Sequence, residues 1–115
     1  SLSHTLNVLA PILRGWAAYY QLTASKRALE TVDGWLRRKL RGILWRQWKR
    51  PATRARALMR LGLPEARACH SASNGRGPWW NSGASHLMVA LPNRYFARLG
   101  LVLLVDTVAR LQSRP

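Results

Sequence analysis

Apolar residues along this chain recur at intervals of three and four, the spacing of helices that bury one side. Between residues 11 and 22, Ile12, Leu13, Trp16, Tyr19 and Tyr20 share a side, so the three aromatic residues are expected in the core. Gly15 lies on the flank, where a neighbouring helix can approach. Proline suits a first helical turn and disrupts a helix middle. Pro11 therefore predicts two pieces, residues 2–9 and 11–22.

Thr23 or Ser25 can cap the next helix, which should run to about Arg50 because Pro51 comes next. Its projected core stripe is Leu29, Val32, Leu36, Leu40, Ile43, Leu44 and Gln47. Arg27, Arg38, Arg41 and Lys49 project to the opposite side, with Arg37 and Arg46 on the shoulders. Trp45 lands among those charges, and Trp35 and Trp48 on opposite shoulders.

Pro51 can open a helix that Gly62 stops, with Leu58, Met59 and Leu61 inward and Arg54, Arg56 and Arg60 outward. A brief helix after Pro64 leads into SASNGRGP, a loop by composition. Trp79 and Trp80 come after it, then short helices over about 85–91, 92–99 and 101–111. Strand signals are weak throughout. The expected fold is all-α: a small bundle of three main helices with short C-terminal helices. Its expected divisions are a helical bundle at 1–66, a linker at 67–78 and a small helical segment at 79–115.

Charge changes this picture from fold to partner. The 115 residues hold 19 Lys and Arg against four acids, a formal charge of +15. Such an excess points to nucleic acid first and an anionic membrane second. It is also concentrated: the stretch WLRRKLRGILWRQWKR carries seven cations and no acid. A merely solvated helix usually mixes signs for pairing four residues apart. Here Arg37, Arg38, Lys39 and Arg41 repel one another, and an external polyanion is the favoured account. On that reading, replacing Arg38 and Arg41 together by Ala weakens binding and leaves melting unchanged. Trp45 either packs against another layer of a parent protein or stacks on a base. Trp79 and Trp80 either clamp the Gly-rich loop or form a stacking shelf, with Arg76 and His86 placed to meet phosphate.

Candidates for catalysis are few. Glu30 and Asp33 lie one turn apart, but neighbouring cations compete with a metal there, and acids near a helix start commonly stabilise it. His4, His70 and His86 have no ligand or triad spacing. No catalytic residue, metal or cofactor is expected, and the chain alone is not read as an enzyme. Cys69 is the lone cysteine, which allows no internal disulfide. No run approaches the roughly 18 apolar residues of a membrane span. The chain starts at Ser1 as if inside a helix, which reads as a piece of something longer.

PILRGWAAYY and, after it, DGWLRRKLRGILWRQWKR together resemble the maturase-specific domain of group II intron-encoded reverse transcriptases. There the pattern runs roughly NPILRGWANYY, then, after a short gap, LDRWVRRRLRRWLWRRWK. The resemblance spans about Leu6 to Leu63, and the tail GPWWNSGASHLMVALPNRYFARLGLVLLVD resembles the segment C-terminal to that domain in bacterial members. Val8-Leu9-Ala10 departs from the family's Leu-Asn, and Ala18 stands where the family has Asn, removing one expected polar contact.

The resemblance implies a thumb, or domain X, that grips group II intron RNA, assists its splicing and holds template–primer. It further implies a small DNA-binding segment after it, an upstream polymerase domain in the same polypeptide, and a bacterial cytoplasm. The RNA contacts expected are Arg14, Arg27, Arg37, Arg38, Lys39, Arg41, Trp45, Arg46, Lys49, Arg50, Arg54 and Arg56. Arg76, Trp79, Trp80 and His86 are candidates for further nucleic-acid contact. Two rivals stand beside this reading. One is a basic helical DNA-binding protein, since charge does not separate DNA from RNA. The other is a membrane-active cationic bundle, against which Trp45 among the charges already counts.

Overall fold

The computed structural model describes residues 2–21 and 25–112. Among them are eight helices and no strand: α1 (Leu2–Tyr20), α2 (Lys26–Gln47), α3 (Pro51–Arg60), α4 (Glu65–Ala72), α5 (Pro78–Ser82), α6 (Ser85–Ala90), α7 (Asn93–Arg98) and α8 (Leu104–Gln112). The all-α expectation holds. The chain gathers into two compact units, Ser1–Arg37 with Tyr95–Pro115, and Arg38–Arg94. Helix α2 runs from the first into the second.

In the first unit α1 packs on α8. The expected break at Pro11 is absent: α1 is continuous, with Pro11 inside it. A proline lacks the N–H that would bond the carbonyl four residues back. Here that carbonyl belongs to Asn7, and both residues are exposed, so water can satisfy it. The buried side of α1 is also different from the projected one. Leu2, Leu6, Leu13 and Ala17 are buried, whereas Ile12, Trp16, Tyr19 and Tyr20 are exposed, Tyr19 to 76%. The buried side of α1 is thus leucine and alanine, and the bulky aromatic residues are left outside it.

Ser25 caps α2, its Oγ accepting from the Ala28 N–H at 3.2 Å. Thr23, the other expected cap, and Leu22 lie outside the described residues. The buried stripe of α2 is rotated from the projected one towards polar positions. Leu29, Asp33, Leu40, Arg41, Leu44 and Trp45 are buried, while Val32, Ile43 and Gln47 are exposed. Asp33 explains the first-unit part of that rotation. Its carboxylate accepts from the backbone N–H of Leu104 (2.7 Å) and of Val105 (3.0 Å). Those are two of the donors a helix start leaves unpaired, so Asp33 caps α8 from a distance of some seventy residues.

The second unit packs α3 on α4, with further contacts of α6 on α3 and α5. Pro51 is the first residue of α3, as expected. Gly62, at φ +109°, ends the helix in a left-handed turn. Leu63 N–H reaches back to the Leu58 carbonyl at 3.0 Å, and both side chains are buried. Beyond α4 the loop is short, because α4 itself runs to Ala72. Asn81 organises that loop. Its Nδ2 donates to the carbonyls of Arg76 (3.0 Å) and Gly77 (2.9 Å), and its Oδ1 accepts from Asn74 Nδ2 (2.7 Å). The apolar LVLLV run was expected to begin a helix at 101; α8 begins at Leu104, and Leu101 and Val102 are buried ahead of it.

Candidate nucleic-acid interface

Basic residues in the second unit divide into those the fold consumes and those it leaves in water. Arg41 belongs to the first kind. It was expected on the wet side and is buried, with Nε donating to the Leu91 carbonyl (2.8 Å) and Nη2 to Asn93 Oδ1 (3.2 Å). Leu91 is the residue after α6, where carbonyls lack helical partners, and a guanidinium fork suits such a site. Arg38 is half-buried. Its Nε donates to Ser82 Oγ (3.2 Å) and its Nη2 to the Trp79 carbonyl (3.1 Å). The same guanidinium stacks 3.8 Å from the centroid of the Trp79 ring. A Cβ on Gly83 would lie 3.0 Å from it, so glycine there leaves Arg38 its seat. Arg54 donates from Nε to the Trp45 carbonyl (3.1 Å) and lies over that indole at 4.7 Å. Burial lowers the Arg54 pKa, but a guanidinium stays charged at neutral pH.

Trp45 itself was projected among the charges and is 1% exposed. Its ring lies 5.2 Å from the His86 ring and 6.2 Å from Trp48. Trp45 therefore packs within this chain, neither against another layer of a parent protein nor on a base, and no face of it is open. Its indole N–H has no acceptor among the described residues, a penalty offset by burying so large a ring.

His86 is likewise buried and unavailable to phosphate. The two carbonyls bound by Asn81 Nδ2 fix that amide's orientation, so His86 Nε2 donates to Asn81 Oδ1 at 2.9 Å. Desolvation, and secondarily the charge of Arg67, lowers the His86 pKa below its ordinary value. The folded state thus prefers neutral imidazole. Its stabilising contribution is complete above the unfolded-state pKa of about 6.5 and declines as pH falls below it. The denaturant midpoint is expected to drop between pH 7.5 and pH 5, and the His86-dependent part of that drop to vanish in His86→Gln. An equal drop in both proteins would contradict this.

The remaining cations are differently placed. Lys39, Arg46, Lys49, Arg50, Arg56 and Arg60 are exposed. Among the described residues, Arg46, Lys49, Arg50 and Arg56 meet no carboxylate; on the first unit Lys26 and Glu30 pair at 4.0 Å. Lys39, Arg46 and Lys49 come together. With Gly42, Ile43, Gln47, Pro78 and Trp79 they line a groove of about 470 Å³ between α2 and α5. No α2 residue in that lining is buried: Lys39, Ile43, Arg46 and Gln47 are exposed and Gly42 is half-buried. Gln47 and Ile43, projected into the core, are thus groove residues. The spacing of 39, 42, 43 and 46 was the signal available, since these positions share one helical face, whereas Lys49 reaches the groove from the turn after α2.

Trp79 and Trp80 diverge, as neighbours on a helix must. Trp79 borders the groove, whereas Trp80 lies 6.4 Å from the His86 ring and under the Arg76 guanidinium at 5.0 Å. Arg14 and Arg27 are exposed on the first unit and Arg37 is half-buried there.

A basic helical face bordered by an indole has many uses, and sequence comparison narrows them. Residues 1–62 match the family model for the group II intron, maturase-specific domain. The chain belongs to that family. No curated protein matches it. The maturase-specific domain is not catalytic by itself, and among the described residues no group of three or more His, Cys, Asp or Glu could hold a metal ion. Nor is any described helix long and apolar enough to cross a membrane. The matched maturase segment contains all of α1, α2 and α3, and so every α2 residue of the groove; Pro78 and Trp79 come from the chain after it.

Proposed function

We propose that this chain binds folded group II intron RNA through the RNA's phosphate backbone and thereby supports splicing. The observation that carries the proposal is the groove edge: three exposed cations, Lys39, Arg46 and Lys49, and no acid in the lining. The whole second unit repeats that imbalance, with twelve Lys and Arg against Glu65 alone. Cations placed this way displace condensed counterions when phosphates arrive, and the entropy gained favours the complex. Arg50 and Arg56 extend the surface at α3, and Arg14, Arg27 and Arg37 offer further contacts from the first unit. Structured RNA presents phosphates, 2′-hydroxyls and unpaired bases, which such a surface can meet without entering the deep groove. Holding template–primer beside a polymerase domain of the same polypeptide would draw on the same cations.

Lys49 adds a second line of support. It sits at φ +53°, in the left-handed region where a side chain is strained by about 1 kcal/mol. Glycine would occupy that turn with less strain, yet a lysine stands there with its side chain on the groove. Retained strain of this kind commonly marks a functional position.

Titration of a structured intron RNA against salt tests the proposal. With about six phosphates engaged, log affinity should fall by about four to five for each tenfold rise in salt. Folded RNA should also outcompete duplex DNA of equal charge. A flat salt dependence would overturn the proposal, and a preference for the DNA would favour the DNA-binding reading.

A further inference from the structure

The groove has features that phosphate capture does not require. Its lining includes the uncharged Gly42, Ile43 and Pro78 and also Trp79, which is 44% exposed. A large aromatic side chain left this open usually swings between rotamers; this one is held. Arg38 lies against the ring at 3.8 Å, and that guanidinium is itself tied to Ser82 Oγ and to the residue-79 carbonyl. The backbone beneath is fixed too, since Ser82 Oγ donates to the Trp79 carbonyl at 2.6 Å. The ring is therefore oriented before any ligand arrives. Gln47, whose amide can both donate and accept, is also in the lining.

We propose that this groove is a slot for one unpaired nucleobase of the bound RNA, which stacks on Trp79 while its flanking phosphates meet Arg46 and Lys49. Every base has a π-face, so stacking tolerates any sequence and adds to the electrostatic attraction. Arg38 lies over the indole at 3.8 Å and the Lys39 ammonium at 5.7 Å, and the base takes the part of the ring that stays exposed. Gln47 offers that base a hydrogen-bonding amide within the same groove. A paired base inside a helix cannot enter, because its faces are already stacked. The slot thus selects loops, bulges and ends, the parts of an RNA where bases are splayed out. This inference rests on the RNA-binding reading above and names the part of the RNA that the groove takes.

The test uses the full 115-residue chain and two RNA hairpins of equal length and charge, one fully paired in its stem and one with a bulged adenosine. The parent chain is expected to bind the bulged hairpin more tightly. Trp79→Ala should lose about tenfold on the bulged RNA and little on the paired one. Trp79→Phe, which keeps a ring, should restore most of the preference. The backbone carbonyl that anchors Arg38 survives both substitutions, and thermal melting of the variants should match the parent. Equal loss on both hairpins, or an undiminished preference in Trp79→Ala, would overturn the stacking slot. If that happens while affinity still falls steeply with salt, the phosphate-binding reading stands. Should neither hairpin bind in a salt-dependent way, the broader reading fails first.

Discussion

Replacing Arg41 by Ala is expected to destabilise the chain by about 3 kcal/mol, lowering its melting temperature by roughly 10–15 °C. The side chain is buried, and its loss strands the buried Leu91 carbonyl away from water and removes the bond to Asn93 Oδ1, which is exposed. Charge-assisted hydrogen bonds of this kind contribute about 1.5–3 kcal/mol each, and an orphaned buried acceptor adds its own desolvation penalty. Arg41→Lys should recover only part of the loss, since one ammonium cannot span both acceptors as the guanidinium fork does. Thermal unfolding monitored by circular dichroism measures this directly. A melting temperature unchanged in Arg41→Ala, with weakened RNA binding, would return Arg41 to the interface. The expectation drawn from sequence, that Arg38 and Arg41 can be removed together without affecting melting, is thus reversed. Both are fastened to carbonyl and side-chain oxygens of the helices after α4.

Asp33→Ala is expected to have a comparable effect in the first unit, about 2–4 kcal/mol. It removes both acceptors from the first turn of α8, leaving the Leu104 and Val105 N–H groups without partners near a buried helix start. Asp33→Asn keeps one acceptor oxygen and forfeits the charge that favours a helix N-terminus, so it should lose about half as much. Hydrogen exchange locates the effect. Amides of α8 should lose protection in Asp33→Ala while those of α3 and α4 keep theirs. Unchanged protection across residues 104–112 would show that the cap does not hold the helix.

These two residues also show where sequence reasoning stopped. The all-α fold, the Ser25 cap, the proline start of α3 and the glycine stop after it were legible, because each depends on local chemistry at a few adjacent positions. The buried face of α2 was not. Projection assigns polar residues outward, and Asp33 and Arg41 face inward because partners 50 or more residues away in sequence satisfy them. Their inward turn carries Trp45 with it and releases Ile43 and Gln47 to the groove. On α1 the error has a different source. Bulk suggests a core, yet the chain buries Leu6, Leu13 and Ala17 and leaves Trp16 and Tyr19 exposed.

Of the candidate surface, the cations of α2 were legible as a class. Which of them the fold consumes was not, because that depends on carbonyls supplied by residues 79 and 91. The groove wall at Trp79 was visible only as one of two ambiguous tryptophans until α5 was placed beside α2.

The central claim is that cations left over from the fold bind phosphate, and Lys49→Gly tests it most directly. Relief of the left-handed strain predicts a melting temperature equal to or above the parent's. Loss of one phosphate contact predicts weaker intron RNA binding, with the salt dependence of log affinity shallower by about one per tenfold change in salt. Stability and affinity should therefore move in opposite directions. RNA binding that keeps its strength and its full salt dependence in Lys49→Gly would contradict the account.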